Sequence, residues 1–284
     1  MLTDNNFPAS HNAQKKIAAI NDLTGFGRCA LTVALPIISH MKIQCCPVPT
    51  SILSNHTGFD EFTFFDYTEQ LPGYIAGWKK LGLKFEGIMS GFLGSVAQIA
   101  MVEGFIRNFR TGRTTVVVDP VMGDHGKIYT TYTTEMCQEM GRLVSLADIV
   151  TPNITEGCLL TNVAYKESGW KQTELLKVAE GLVAMGPKKV VITGIVQGGY
   201  IANYIYEKDQ APQLVRTSRV GCERSGTGDI FAAIIAADAV NGVVFEQSVR
   251  KASAFVKRCI LKSDELLVPK TDGVCFEEVI RQLR

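Results

Sequence analysis

Short apolar runs and helical periodicities take turns along this chain. Residues 16–20 read as a buried strand, followed by a polar, glycine-bearing loop at 21–27 and a helical pattern over 28–41. Residues 43–48 and 62–65 read as strands, 67–81 as a helix closed by Gly82, 85–89 as a strand and 95–109 as a helix. The β-branched run 114–118 predicts a strand, because branched side chains fit a pleated, buried surface. The second half continues with a helix at 133–146, a strand at 148–151, a helix at 174–185 and a strand at 190–193. Residues 200–206 and 213–217, separated by a polar turn, predict a hairpin, and two helices follow at 227–241 and 246–261. Continuous apolar strands alternating with helices imply a mostly parallel sheet covered on both faces. No linker, repeat or low-complexity block divides residues 15–284, so one α/β domain is expected there.

Ligands of such sheets gather beyond the carboxyl ends of the strands. The polar and glycine-rich pieces of this sequence fall at that edge: residues 21–27, 119–124, 151–156 and Thr193-Gly194. One coincidence means little, but four define a site.

Composition narrows the chemistry. With 284 residues and a net charge of +1, the chain shows no electrostatic case for nucleic acid or a membrane surface. No apolar run approaches the ~20 residues of a membrane span. Residues 1–14 lack periodicity and a signal-type apolar core, so a loose tail and a cytoplasmic location are expected. Eight cysteines without a CxxC pair read as thiols, most of them small buried residues, with Cys222 placed just before a glycine motif.

That motif, Ser225-Gly226-Thr227-Gly228-Asp229, runs straight into the apolar helix of residues 230–237. Glycines at a helix start let backbone N–H groups approach an anion, which the helix dipole also favours. Gly226, Thr227 and Gly228 would form an anion hole, and Asp229 would act as general base toward a hydroxyl attacking a phosphorus. An ordinary helix cap would use Thr227 and Asp229 equally well. The Walker pattern GxxxxGK[ST] is missing, so a P-loop enzyme is not indicated. Asp119-Pro120-Val121-Met122-Gly123-Asp124 and Thr151-Pro152-Asn153-Ile154-Thr155-Glu156 supply acids of the type Mg²⁺ uses alongside water and phosphate. Asp119 as a turn former and Glu156 as part of a helix cap are the competing structural roles.

With these motifs in view, the chain resembles the pyridoxal kinases of the ribokinase-like superfamily over nearly its whole length after residue 14. Gly226-Thr227-Gly228-Asp229, Val191-Ile192-Thr193 and Ala147-Asp148-Ile149-Val150-Thr151-Pro152-Asn153 with Glu156 are shared widely in the superfamily. Asp119-Pro120-Val121-Met122-Gly123-Asp124 also matches, and Ser54-Asn55-His56-Thr57-Gly58-Phe59 and Ser90-Gly91-Phe92-Leu93-Gly94-Ser95 point to the pyridoxal branch. The resemblance implies a three-layer α/β/α sandwich and ATP-dependent phosphorylation of the 5′-hydroxymethyl group of a B6 vitamer, in pyridoxal 5′-phosphate salvage. It implies Asp229 as base. Asp119, Thr151, Asn153, Glu156 and Thr193 would serve the ATP phosphates, and Leu214, Val215, Arg216 and Thr217 would lie along the adenosine. Asp119, Asp124 and Glu156 are the implied metal residues, with Mg²⁺ accompanying ATP and an alkali cation such as K⁺ assisting. Asn21, Thr57, Gly58 and Tyr129 would meet the pyridine substrate, and a homodimer is implied.

The sequence departs from its relatives at Asn21-Asp22, where a Ser-His pair contacts the ring. Asn21 can still donate and accept, and an Asp22 facing the pocket would attract an aminomethyl group. The stretch after Asp124 is short, implying a reduced lid. A hydroxymethylpyrimidine kinase is the nearest alternative, although the 21–28 loop lacks the glycine pair of that group; a sugar kinase is disfavoured on the same ground. A non-catalytic nucleotide or vitamer-binding protein would be expected to have lost Asp229 or a motif glycine, and both are present.

Overall fold

The computed structural model describes residues 10–283. In chain order its elements are β1 (Lys16–Phe26), α1 (Ala30–His40), β2 (Gln44–Asn55), β3 (Phe64–Asp66), α2 (Leu71–Lys80), β4 (Gly87–Ser90) and α3 (Val96–Phe109). Then come β5 (Thr115–Val118), β6 (Gly123–Asp124), β7 (Lys127–Ile128), α4 (Thr134–Leu146), β8 (Ile149–Val150), α5 (Ile154–Thr161) and α6 (Gln172–Met185). The chain closes with β9 (Lys189–Gln197), β10 (Tyr200–Glu207), β11 (Gln213–Ser218), α7 (Thr227–Asn241) and α8 (Phe245–Glu265).

Nine strands form one sheet in the order β11-β10-β9-β8-β5-β4-β1-β2-β3. The six central strands are parallel, while β10, β11 and β3 pair antiparallel at the edges. Side chains alternate between two cores, as the two-residue period of a strand requires. Ala18, Ile20, Val116, Val118 and Ile192 face a layer built by α3, α4 and α6. Ile17, Met89, Val117 and Val191 face α1, α7 and α8. Residues 230–237 of α7 are all buried, because this helix lies between the sheet, α1 and α8. An apolar surface all the way round is what such a sandwiched helix needs. Among the described residues no helix is long and apolar enough to cross a membrane.

The order of the parallel strands reverses between β1, which is joined to β2, and its other neighbour β4. That switch point opens a crevice at the carboxyl ends of the strands.

Two expectations need correction. Residues 21–27 are not a loop, because β1 continues to Phe26 by shifting register against β2 between Asn21 and Leu23. For the same reason β2 runs on to Asn55, well past residue 48. The segment after Asp124 is an antiparallel hairpin of β6 and β7, whose two-residue turn places His125 at φ 50°. Of the expected tail, residues 10–14 are described, and Asn12 donates to the Gly82 carbonyl at 3.0 Å and accepts from the Lys84 N–H at 2.8 Å. Residues 1–9 of that tail lie outside the described residues.

Candidate active site

The start of α7 is built to stay open. Gly226 caps the helix at φ 83°, a left-handed conformation that glycine adopts without strain. A Cβ there would also collide with the Arg28 carbonyl oxygen, whereas the Cβ position of Gly228 faces open space. Among the described residues no side chain caps the helix. The first-turn N–H groups of Thr227 and Gly228 therefore border a cavity of about 1010 Å³ with no capping partner, an arrangement that suits an anion.

Asp229 lies in that first turn and lines the same cavity. Its Oδ1 accepts from Asn21 Nδ2 at 3.2 Å. Burial raises its carboxyl above the ordinary carboxylate value, and N–H donation from Ala30, Asn21 and its own backbone pulls the other way. Behind it, Asp22 is buried and accepts from Thr24 Oγ1 at 2.5 Å. Burial, with the charge of Asp229, pushes Asp22 up to about 6. Asp22 does not border the cavity, so the expected attraction for an aminomethyl group has no geometric basis.

A second acidic group sits at the ends of β5 and β8. Asp119 Oδ1 accepts from Thr151 Oγ1 at 2.9 Å. Burial, reinforced by the charge of Asp229, pushes Asp119 up to about 8. Glu156 accepts from the N–H groups of Met122 at 3.1 Å and Asn153 at 2.8 Å, while Asn153 Oδ1 accepts from the Glu156 N–H at 3.0 Å. This reciprocal capping box starts α5. Burial and the neighbouring Asp119 raise the Glu156 carboxyl well above its usual range.

The expected metal set of Asp119, Asp124 and Glu156 does not converge: among the described residues no three acidic, histidine or cysteine side chains come together as a ligand group. Both Glu156 oxygens are engaged by backbone N–H groups, and Asp124 sits on the half-exposed β6 strand, accepting from the His125 N–H at 2.8 Å. The donor chemistry fits a cation that arrives already wrapped in phosphate and water, since Mg²⁺ seldom takes a full protein cage. Asp119 and Glu156 would face it as buried acids already held in place by hydrogen-bond donors.

Of the other residues expected at the site, Gly58, Tyr129, Thr151, Asn153, Thr193 and Thr217 line the cavity. Asn153 has both amide ends engaged, its Nδ2 donating to the Gly123 carbonyl at 2.8 Å. Thr57 is exposed and outside the cavity wall. Leu214, Val215 and Arg216 are outside it as well. Strand alternation sends Leu214 and Val215 into opposite cores, and Arg216 Nε donates to Gln197 Oε1 at 2.9 Å.

Asn21 lies below the cavity rather than in its wall. In place of Thr57 the wall carries His56, whose Nδ1 accepts from the Gly58 N–H at 3.0 Å. Its Nε2 therefore holds the proton and donates to the Thr271 carbonyl at 2.6 Å, tying this loop to the segment 270–272. Sequence reasoning quoted His56 within a motif without giving it a role. Cys222, expected beside the glycine motif, lines the cavity, as do Arg219, Glu223 and Lys270, which come from segments without a periodic signal. His125 Nε2 lies 3.0 Å from Glu223 Oε2, so the β6–β7 turn reaches across to the approach to α7.

Comparison with known proteins agrees with the fold. The profile of the family described as phosphomethylpyrimidine kinase covers residues 80–272. A pyridoxine/pyridoxal/pyridoxamine kinase of Bordetella avium is 30% identical over 280 residues, covering 90% of each chain. A Bacteroides thetaiotaomicron protein assigned to the phosphomethylpyrimidine kinases, crystallised with pyridoxal, is 36% identical with a TM-score of 0.90, covering 95% of this chain and 96% of its own. The pyridoxal kinase of Lactobacillus plantarum has a TM-score of 0.87 at 26% identity, covering 96% and 97%.

Proposed function

We propose that this chain, which belongs to the phosphomethylpyrimidine kinase family together with the pyridoxal kinases, transfers the terminal phosphoryl group of ATP to the 5′-hydroxymethyl group of a B6 vitamer. The observation that carries the reading is the meeting, in one cavity, of the uncapped α7 start, the Asp229 carboxylate and the acids Asp119 and Glu156.

Asp229 takes the proton of the 5′-hydroxyl as its oxygen attacks the γ-phosphorus and the bond to the β–γ bridging oxygen breaks. The N–H groups of Thr227 and Gly228, beside the Gly226 turn, take up the charge of the migrating phosphoryl group. Mg²⁺, when bound with ATP, supplies charge neutralisation on the phosphates. Asp119 and Glu156 hold the negative field that positions it, Thr151 fixes Asp119, and Thr193 and Thr217 border the nucleotide side. Tyr129, His56 and Gly58 enclose the pyridine ring.

Two substrates compete within this family. The family name and the assignment of the Bacteroides relative favour hydroxymethylpyrimidine, whereas the pyridoxal in that relative's crystal and the Bordetella relative favour a vitamer. A coupled assay comparing kcat/KM for pyridoxal, pyridoxine, pyridoxamine and hydroxymethylpyrimidine decides between them. The vitamers should lead by at least an order of magnitude, because a site built to hydrogen-bond its substrate rejects an unmatched analogue strongly. A leading hydroxymethylpyrimidine would reverse the assignment.

The partner of the exposed edge is proposed to be a second copy. Phe64 and Phe65 on the edge strand β3, with Ile52 and Phe62 beside them, are 40–51% exposed, an apolar group of the kind interfaces cover. Light scattering should give a dimer for the wild type and a monomer for Phe64→Glu. A wild-type monomer would remove the assignment.

A further inference from the structure

The surroundings of Asn21 leave its side chain one clear task. It is 3% exposed and sits on β1 where the strand order reverses. Its amide oxygen accepts from the Phe92 N–H at 2.8 Å and the Asp22 N–H at 3.0 Å. Two donors on one oxygen fix which end of the amide is nitrogen. The Nδ2 end is thereby turned to Asp229 Oδ1 at 3.2 Å. On the β4 side the amide packs so close to Gly91 that a Cβ there would stand 2.5 Å from Nδ2, so only glycine leaves the amide this place. A serine hydroxyl, on a shorter stem, could not bridge β1, Phe92 and α7 in this way.

We propose that Asn21 is a positioning residue that holds the Asp229 carboxylate in line for proton removal, and not a contact of the vitamer ring. The inference rests on the reading of Asp229 as the base. It extends that reading to a residue of β1 that acts through Asp229. The groups facing Asp229 are Asp22 from β1, Asp119 from the loop after β5, Tyr129 just after β7 and Cys29 at the start of α1, besides the donors Asn21 and Ala30. Asn21 is the side-chain donor in that set, and its donation favours the ionised carboxylate. Without it, Asp229 holds its proton to higher pH, so the acid limb of kcat moves upward.

The test compares Asn21→Ala and Asn21→Ser with the wild type and repeats Asn21→Ala in an Asp229→Asn background. Asn21→Ser keeps a small polar side chain in the same slot, so it carries the comparison if the alanine variant fails to fold. Expected are a kcat loss of about 10- to 100-fold, KM values for vitamer and ATP within about twofold, and an acid limb displaced to higher pH. In the Asp229→Asn background, Asn21→Ala should cost nothing further. A several-fold rise in vitamer KM with kcat and acid limb unchanged would make Asn21 a ring contact and overturn the proposal. Wild-type turnover by Asp229→Asn alone would be a different failure, that of the base assignment itself.

Discussion

Asp229→Asn is expected to bind MgATP and vitamer almost as the wild type does and to turn over about 10²–10⁴-fold more slowly, the usual contribution of a positioned general base. The amide is isosteric, so the first turn of α7 and the open N–H groups beside it persist. Proton acceptance from the attacking hydroxyl is what disappears. The half-buried position makes the loss informative, because no other side chain bonded to Asp229 can replace the base: Asn21 and the Ala30 N–H are both donors. Steady-state kinetics combined with calorimetric binding separates the two effects. If kcat stays at the wild-type level, Asp229 is a helix-start residue only.

Asp119→Asn and Glu156→Gln carry the second large effect, on the nucleotide side. Each substitution removes a negative charge while keeping an acceptor, for Thr151 in one case and for part of the α5 capping box in the other. The Mg²⁺ requirement and the KM for ATP should rise about tenfold or more, as expected for loss of a contact worth about 1.4 kcal/mol. The vitamer KM should change little. A pH signature accompanies this. Burial pushes Asp119 up to about 8, so a cation that draws on its carboxylate competes with a proton there. Mg²⁺-dependent nucleotide binding in the wild type should therefore tighten as pH rises toward 8, and Asp119→Asn should flatten the dependence. An effect confined to vitamer KM would put these acids in the other half of the site.

Much of this was legible in the sequence. The buried β-branched strands, the β10–β11 hairpin and the apolar α7 follow from period and composition. Asp119, Thr151 and Asp229 border one cavity because each follows a strand that ends at this edge or starts an element beside one, and Thr193 reaches the same cavity from within β9. What stayed hidden depends on pairing rather than pattern. The polar run 21–27 reads as loop, yet it completes its hydrogen bonds with β2 through a register shift that no composition announces. Residues 214–217 were expected to act together, but a strand points successive side chains to opposite faces, leaving Thr217 alone at the cavity. Two carboxylates that look like metal ligands in sequence can be occupied by backbone N–H groups, as Glu156 is. For Asn21 the sequence carries no sign of its partners, the Phe92 and Asp22 N–H groups at its oxygen and Asp229 at its nitrogen.

The central claim, phosphoryl transfer from ATP to a vitamer 5′-oxygen, is tested most directly by a single-turnover reaction of the purified chain with γ-labelled ATP, Mg²⁺ and pyridoxal. The account predicts label on the 5′-oxygen of the product, in proportion to enzyme, with transfer lost in Asp229→Asn. Release of the label as inorganic phosphate, with pyridoxal unchanged, would contradict it.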